Sequence, residues 1–204
     1  MLTKPKNPQK EMSETSQPRD CFQTPNYATE LLIPFIPKDI TAIWECAVGH
    51  GKIFSVLEKD KYAVYGTDIK QTDYVDELIN LLTCEKIPSN VFCRLSTGVT
   101  EKLTIITNPP FSLKKRFFEK CIYFDIPFAL LLSADYSGWV IDAVRKYGCE
   151  KIIPDHRIDY ITPTGKSGAT GHSSHFHSLW MTRYFNLGKS ETFVELTKEM
   201  KTNI

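Results

Sequence analysis

The fold class of this 204-residue chain is decided by the stretch Thr41-Ala42-Ile43-Trp44-Glu45-Cys46-Ala47-Val48-Gly49-His50-Gly51-Lys52-Ile53-Phe54. Its apolar first half predicts a buried strand, and the residues after Gly51 predict a helix. The glycines let the chain turn sharply between the two and let its backbone approach a ligand, because glycine has no Cβ. A strand, a Gly-x-Gly turn and a helix in this order are typical of α/β domains that bind a nucleotide-like cofactor.

The same stretch departs from the fingerprint of dinucleotide-binding domains. That fingerprint has a third glycine, which would fall at position 54, where this chain has Phe54. It also does not usually carry an acid four residues before the first glycine, and Glu45 occupies that position. A nicotinamide-dependent oxidoreductase is therefore disfavoured, although measurable affinity for NADH would restore this alternative.

A second strand, at residues 62–69, ends in Asp68 and Ile69. A carboxylate at this point can accept hydrogen bonds from both hydroxyl groups of a ribose, and Ile69 can lie against an adenine ring. The alternative is that Asp68 only caps the segment that follows. We favour the ribose contact, because it agrees with the glycine turn that precedes it.

A third stretch, Ile105-Ile106-Thr107-Asn108-Pro109-Pro110-Phe111, displays groups that suit a planar amine. Residues 103–106 predict a buried strand, which two successive prolines end because neither has a backbone hydrogen to donate. If the Asn108 side-chain oxygen and the Pro109 carbonyl each accept one amine hydrogen, the nitrogen lone pair becomes free to attack. Phe111 would stack on the ring that carries the amine. The alternative is a turn that merely ends the strand, since Asn and Pro are common turn residues.

These segments follow one another as they do in class I S-adenosylmethionine-dependent amino methyltransferases, which the chain resembles. Residues 108–111 match the Asn/Asp-Pro-Pro-aromatic motif of that family, whose members act on adenine, cytosine or glutamine nitrogens. The chain is similar in particular to phage and prophage DNA adenine-N6 methyltransferases, in which two further strand motifs recur. Their counterparts in this sequence are Arg157-Ile158-Asp159-Tyr160 and Phe176-His177-Ser178-Leu179-Trp180.

The resemblance implies roles for individual residues. The implied catalytic group is Asn108, Pro109, Pro110 and Phe111. The implied contacts with S-adenosylmethionine are Phe22, Thr24, Pro25, Glu45, Ala47, Gly49, Gly51, Asp68, Ile69 and Asn108. In the family, a Phe/Tyr-x-Thr-Pro segment lies against the methionine end of the cofactor, and an acid at the position of Glu45 holds its amino-acid part. Independently of the family, Thr24 and Pro25 predict the N-cap and the first residue of a short helix.

Two positions depart from the family pattern. Cys46 stands where the family usually has proline. The third strand, which we predict at residues 91–95, is followed by Ser96-Thr97-Gly98 and not by the usual Asp or Asn that contacts the adenine of the cofactor. Asp73 and Asp76 are the alternatives for that contact, and the sequence does not decide between them.

Three consecutive cations, Lys114, Lys115 and Arg116, open the helix predicted at residues 112–122. Positive charge at a helix N-terminus opposes the helix macrodipole, so the cluster carries an electrostatic cost. Beside a catalytic motif, such a cluster is a candidate for contact with substrate phosphates. The commoner explanation of a charge run, a solvated helix face, remains the alternative.

The alternation of strands and helices along the chain predicts a doubly wound, Rossmann-like α/β sheet. We expect further strands at 127–133, near 151–161 and near 176–184, and a helix at 139–147 that Gly148 closes. The resemblance implies seven strands, with one antiparallel strand in the last hairpin. Residues 20–198 are expected to form one domain, preceded by a disordered tail at residues 1–19, whose composition offers almost nothing to pack.

Composition excludes several classes of protein. The chain has 25 basic and 24 acidic residues, so its net charge of +1 does not by itself indicate nucleic acid or membrane binding. Without an apolar run long enough to span a bilayer or a secretory pattern, we expect a cytoplasmic protein of a bacterial or phage-infected cell.

Three further patterns suggest sites that we do not expect to exist. None of the six cysteines forms a Cys-x-x-Cys pair, which argues against a zinc ribbon. Gly165-Lys166-Ser167 is not a phosphate-binding P-loop, because Tyr160 replaces the leading glycine. No metal site is expected from His172, His175 and His177, since no acid or cysteine completes the set.

The sequence thus predicts transfer of a methyl group from S-adenosylmethionine to an exocyclic amine, with adenine N6 in DNA as the favoured target. Nucleic acid is the expected partner, and DNA is favoured over RNA. The alternatives are an RNA adenine, a protein glutamine amide, and a catalytically silent cofactor-binding protein. The last is motivated by the absence of an acid after the predicted third strand.

Overall fold

A computed structural model of the chain describes residues 20, 22–93, 102–161 and 176–202. Its strands are β1 (Ile40–Glu45), β2 (Ala63–Asp68), β3 (Glu77–Leu78), β4 (Lys102–Thr107), β5 (Phe128–Ser133), β6 (Glu150–Pro154), β7 (Ser178–Arg183) and β8 (Glu191–Val194). They form one sheet in the order β3-β2-β1-β4-β5-β7-β6-β8. The tail at 1–19 and the glycine-containing loop at 165–171 lie outside the described residues.

The helices that the structure describes are α1 (Asn26–Glu30), α2 (Lys52–Lys59), α3 (Ser89–Cys93), α4 (Lys114–Phe124), α5 (Gly138–Tyr147) and α6 (Lys198–Thr202). Short 3-10 turns occupy Ile33–Phe35, Leu81–Thr83 and Phe111–Leu113. The helix predicted at 139–147 is confirmed, and it ends at Gly148, whose φ of 65° is a left-handed conformation that glycine adopts without strain. Within the ranges described, no helix combines the length and the apolar character that crossing a bilayer requires.

Strand directions confirm the doubly wound α/β fold. β1 to β5 are joined by parallel pairings, with β4 between β1 and β5 at the centre of the sheet. β7 runs antiparallel to both β5 and β6, as expected for the last hairpin. The expected count of seven strands is wrong, because β8 adds an eighth strand, parallel to β6, at the edge. Its Thr192, Phe193 and Val194 are β-branched and aromatic residues that suit a strand.

The third strand does not lie where the sequence predicts it. Its place in the sheet is taken by β3, a two-residue strand that pairs with Thr67 and Asp68 of β2. The predicted strand at 91–95 overlaps α3, whose first turn includes a hydrogen bond from the Val91 N–H to the Pro88 carbonyl at 3.1 Å. A short apolar run does not distinguish a strand from one turn of helix, which explains the error. Residues 94–101 lie outside the described ranges.

The strand expected near residues 151–161 is also shorter than predicted. β6 ends at Pro154, and residues 158–160 have no strand pairing although Ile158 and Tyr160 are buried. Ile161 instead forms an isolated antiparallel bridge with Gln23, through backbone hydrogen bonds of 2.9 and 3.0 Å. The segment after β6 therefore holds the N-terminal segment against the rest of the fold.

Alternating side chains divide the core between the two faces of the sheet. Trp44 and Ile105 belong to one buried cluster, whereas Ile43 and Ile106 belong to the other. The buried indole of Trp180 donates a hydrogen bond of 2.8 Å to the Ala28 carbonyl. This bond ties α1 to β7 and so places the residues just before α1 over the carboxyl ends of the central strands.

Candidate active site

A pocket of about 550 Å³ opens at the carboxyl ends of β1, β2 and β4. These strands are parallel, so residues that follow them meet at one edge of the sheet. The pocket brings together most of the residues that the sequence singled out. They are Phe22, Thr24, Glu45, Ala47, Gly49, Asp68, Ile69, Asn108, Pro109, Pro110, Phe111 and Arg116.

Two predicted cofactor contacts, Pro25 and Gly51, do not line this pocket. Pro25 is buried immediately before α1, and its carbonyl accepts the Ala28 N–H at 3.0 Å. Gly51 has a φ of 72°, and a Cβ at this position would lie 2.2 Å from the Tyr74 ring. Glycine is required at position 51 by the turn and by packing against Tyr74.

Of the three cations at the start of α4, only Arg116 lines the pocket. The Lys114 ammonium donates to Ser133 Oγ at 2.7 Å and to Asp135 Oδ2 at 2.5 Å. Burial raises the pKa of Asp135, but the hydrogen bonds from Lys114 and Ser137 outweigh this and hold it below its usual value. Lys115 is exposed and lies 3.6 Å from a carboxylate oxygen of Glu119, one turn along the helix.

Glu45 is a buried acid at the end of β1. It is 1% exposed, and its Oε2 has no hydrogen-bond partner among the described residues. Burial raises the pKa of Glu45 well above its usual value, and the nearby charge of Asp68 raises it further, against a lowering by the Phe54 N–H. A buried carboxyl with an unpaired oxygen beside a pocket can bind a cation or a hydrogen-bond donor.

The Asp68 carboxylate, at the end of β2, is held by hydrogen bonds from two backbone N–H groups. Its Oδ2 accepts the Gly49 N–H at 2.9 Å, and its Oδ1 accepts the Lys70 N–H at 3.0 Å. The carboxylate thus caps the segment that follows, which was the structural alternative to a ribose contact. It also lines the pocket, and each carboxylate oxygen can accept a further hydrogen bond.

The Asn108 side chain is held by a residue distant in sequence. Its Nδ2 donates a hydrogen bond of 3.0 Å to Thr24 Oγ1, whereas its Oδ1 is buried without a partner among the described groups. The prediction that Thr24 is a helix N-cap is wrong, because Pro25 occupies the cap position and makes no side-chain cap bond. The Thr24 hydroxyl contacts the carboxamide and not the helix end.

Phe111 lies in a cluster of aromatic rings at one side of the pocket. Its ring packs edge-on against Tyr160 and Phe176, with centroid separations of 5.8 and 5.1 Å. Phe22 stacks on Tyr160 at 6.5 Å. The Tyr160 hydroxyl donates to Ser178 Oγ at 2.9 Å. The Tyr160 ring, at the centre of the cluster, is thus held by this hydrogen bond and by its contacts with the neighbouring rings.

Asp20 and residues 22–24 line the pocket and contact both of its sides. Asp20 accepts hydrogen bonds from the Ser112 backbone and hydroxyl at 3.2 and 2.7 Å. The Gln23 side-chain oxygen accepts the His50 N–H at 3.3 Å. Asp20, Gln23 and His50 all line the pocket, and the sequence analysis did not assign any of them to a site.

Asn80 is a pocket residue that the sequence analysis missed. It follows β3, and its Oδ1 accepts the Leu82 N–H at 3.0 Å. Leu81 and Leu82 line the pocket beside it. Asn80 therefore occupies the position after the third strand at which the resemblance expects an acid or amide. It was overlooked because that strand was predicted at residues 91–95.

The two alternatives for that position, Asp73 and Asp76, do not line the pocket. The Asp76 carboxylate instead accepts the Gly66 N–H at 2.8 Å, which ties the segment before β3 to β2. In the described part of the chain, no three His, Cys, Asp or Glu side chains form a group that could hold a metal. His177 Nε2 lies 2.6 Å from the Pro154 carbonyl, and His172 and His175 fall outside the described residues.

No protein-family model matches the chain, and no curated protein matches it. Among solved structures, it is similar to the crystal structure of "a putative RNA methyltransferase PH1948 from Pyrococcus horikoshii", with a TM-score of 0.52 and 14% identity over 89% of this chain and 90% of that chain. A second structure, that of the 23S rRNA methyltransferase ErmE, aligns with a TM-score of 0.44 and 10% identity over 85% of this chain and 71% of that chain. The chain shares the fold of the Pyrococcus protein.

Proposed function

We propose that this protein transfers a methyl group from S-adenosylmethionine to an exocyclic amine, with adenine N6 in nucleic acid as the favoured target. The observation that carries this proposal is that Asn108 borders the pocket and that its buried Oδ1 has no partner among the described groups. An acceptor left unpaired in this way costs free energy unless a ligand donates to it. An amine is a donor of the required kind, and Pro109 and Phe111 stand beside it in the pocket lining.

The rest of the pocket fits S-adenosylmethionine. Its volume of about 550 Å³ lies within the usual range for cofactor sites. The unpaired Glu45 carboxyl suits the cationic amino-acid part, and the Asp68 carboxylate suits the ribose hydroxyls. Asn80 and Ile69 border the pocket where they would contact the adenine. With Asn80 in this position, the absence of an acid after residue 95 no longer favours a catalytically silent protein.

When bound, S-adenosylmethionine would supply the methyl group of its sulfonium and would leave as the neutral thioether, and the methylated nitrogen would then lose one proton to solvent. The chain's own residues have two tasks, to orient the amine and to exclude water. Asn108 Oδ1 and the Pro109 carbonyl each accept one amine hydrogen, which directs the nitrogen lone pair outward and stabilises the positive charge that develops on nitrogen. Phe111 holds the ring that carries the amine. The substrate base must leave its stack to enter, at a cost of a few kcal/mol that single strands reduce.

The polymer that carries the amine is the finer part of this proposal. The Asn-Pro-Pro-Phe resemblance favours DNA, whereas the Pyrococcus protein is named for RNA. A shared fold does not determine the substrate, so both DNA and RNA must be assayed. A protein glutamine amide would suit the same four residues and must be assayed as well.

The test is transfer of labelled methyl groups to unmethylated duplex DNA, single-stranded DNA, bulk RNA and a glutamine-containing protein, assayed in parallel. We expect label in one nucleic acid, and we expect Asn108→Ala to lower the rate at least about 100-fold while the Kd for S-adenosylmethionine changes less than about threefold. Asn90→Ala is the matched control, since Asn90 is an exposed asparagine outside the pocket. It should behave as wild type.

Three outcomes would contradict the proposal. Turnover of Asn108→Ala within tenfold of the wild type would remove the amine-orienting role. Binding of S-adenosylmethionine without methyl transfer to any of the four substrates would identify a catalytically silent cofactor-binding protein. Affinity for NADH in place of S-adenosylmethionine would restore the oxidoreductase alternative.

A further inference from the structure

We infer that Thr24 is a positioning residue, whose hydroxyl holds the Asn108 carboxamide with its oxygen facing the substrate amine. This inference rests on the proposed function and adds a residue to it. Thr24 is 4% exposed, and its Oγ1 accepts the Asn108 Nδ2–H at 3.0 Å. The resemblance assigns Thr24 to the cofactor, so the two assignments can be separated experimentally.

A fixed carboxamide orientation matters because the two ends of this group have opposite hydrogen-bonding roles. The oxygen accepts hydrogen bonds, whereas the nitrogen only donates them. In the observed orientation the nitrogen is engaged by Thr24, and Oδ1 is the atom left unpaired in the described structure. A carboxamide turned by half a rotation would direct its N–H groups at the N–H groups of the amine, and would neither orient the substrate nor stabilise charge on it.

Thr24 is itself held firmly on both sides. The backbone of Gln23, the residue before it, pairs with Ile161 through two hydrogen bonds of 2.9 and 3.0 Å. The residue after it, Pro25, is the N-cap of α1, which the Trp180 indole anchors through the Ala28 carbonyl. The Thr24 Oγ1 is therefore held in a fixed position against the Asn108 carboxamide, as positioning of a reacting group within a fraction of an ångström requires.

Thr24→Val tests the role of the hydroxyl, because valine has nearly the same shape and cannot accept the hydrogen bond. We expect the single-turnover rate at saturating S-adenosylmethionine to fall about 10- to 100-fold, with the cofactor Kd changed less than about threefold. Thr24→Ser retains the acceptor and should restore the rate to within about threefold of the wild type. The inference is overturned if Thr24→Val raises the Kd tenfold while the saturated rate stays unchanged, since Thr24 would then be a cofactor contact.

A readout that needs no turnover is the side-chain amide signal of Asn108 in ¹⁵N-labelled protein, assigned by its loss in Asn108→Ala. We expect this signal to shift in Thr24→Val and to keep its wild-type position in Thr24→Ser. An unchanged signal in Thr24→Val overturns the inference even if the enzyme is active. If wild-type protein transfers no methyl group to any substrate, the proposed function fails, and a shift in Thr24→Val still supports the contact between Thr24 and Asn108.

Discussion

Glu45 shows what a single residue contributes to this site, since the fold buries its carboxyl without giving Oε2 a partner among the described residues. Burial raises the pKa of Glu45 in the folded state well above the unfolded value of 4.5. The folded protein therefore binds this proton more tightly than the unfolded chain does. The resulting stability is fully present below pH 4.5 and is lost as pH rises through the folded pKa.

Glu45→Gln should remove this pH dependence, because glutamine keeps the shape and cannot ionise. We expect the free energy of unfolding of the wild type, relative to Glu45→Gln, to fall as pH rises above 4.5, by at most about 1.4 kcal/mol per pH unit. Urea unfolding at several pH values measures the difference. Glu58→Gln, a change of the same kind on the exposed side of α2, is the control. Parallel curves for the wild type and Glu45→Gln would contradict the explanation.

Most residues of the candidate site could be predicted from the sequence because each directly follows an apolar strand. Glu45, Asp68 and Asn108 all stand where a parallel strand ends, and parallel strands bring their ends together. The contact between Asn108 and Thr24 could not be predicted in this way, since 84 positions separate the two residues. Only the folded chain reveals which of the two groups on the carboxamide is engaged.

At the scale of elements, α4 divides the three consecutive cations between different tasks. Lys114 links the start of the helix to the end of β5, where Ser133 and Asp135 accept its hydrogen bonds. Lys115 points to Glu119, and Arg116 alone lines the pocket. The three consecutive cations thus have different environments within one turn of helix. Lys114 has a structural role, Lys115 is exposed to solvent, and the Arg116 guanidinium can reach a ligand.

Arg116→Gln should weaken use of a nucleic-acid substrate if this guanidinium contacts phosphate. We expect kcat/KM at low salt to fall about 3- to 10-fold and the slope of log kcat/KM against log salt concentration to decrease by about one. Lys115→Gln is the matched control, because it removes one charge from the neighbouring position outside the pocket, and its effect should be smaller. Equal losses in the two variants would show that only the general positive charge of the helix matters.

Elements differed in how well the sequence predicted them. The helix that ends at Gly148 was predicted well, because a left-handed glycine is a strong stop signal. β3 was missed because it has only two residues, Glu77 and Leu78, and no apolar pattern marks it. Because the prediction lacked β3, Asn80 was not recognised as a residue that follows a strand. One misplaced strand therefore accounts for one missed site residue.

For the whole molecule, a ligand in the pocket would contact segments from distant parts of the chain. Residues 22–24, the ends of β1 and β2 and the turn after β4 all border the same space. Binding is therefore coupled to global stability. S-adenosylmethionine at about 100 times its Kd should add about 2.7 kcal/mol to the free energy of unfolding, and so raise Tm by about 5 to 10 °C.

Thermal unfolding monitored by circular dichroism measures this shift, and NADH at the same concentration is the control. We expect no change with NADH, since Phe54 and Glu45 depart from the dinucleotide fingerprint. A shift with NADH and none with S-adenosylmethionine would reverse the cofactor assignment. The fold alone could not decide this point, because dinucleotide-binding proteins also use doubly wound sheets.

The position of β7 has a consequence for how this chain folds while it is being made. β7 lies between β5 and β6, and β6 pairs only with β7 and β8 among the described strands. Both partners of β6 leave the ribosome after β6 itself does. Until residue 183 has emerged, β5 and β6 each present an open strand edge that another nascent chain could pair with. Three of the eight described strands, β6, β7 and β8, thus enter the sheet only after β7 has emerged, and a ribosome that stalls before β7 would release a fragment prone to aggregate.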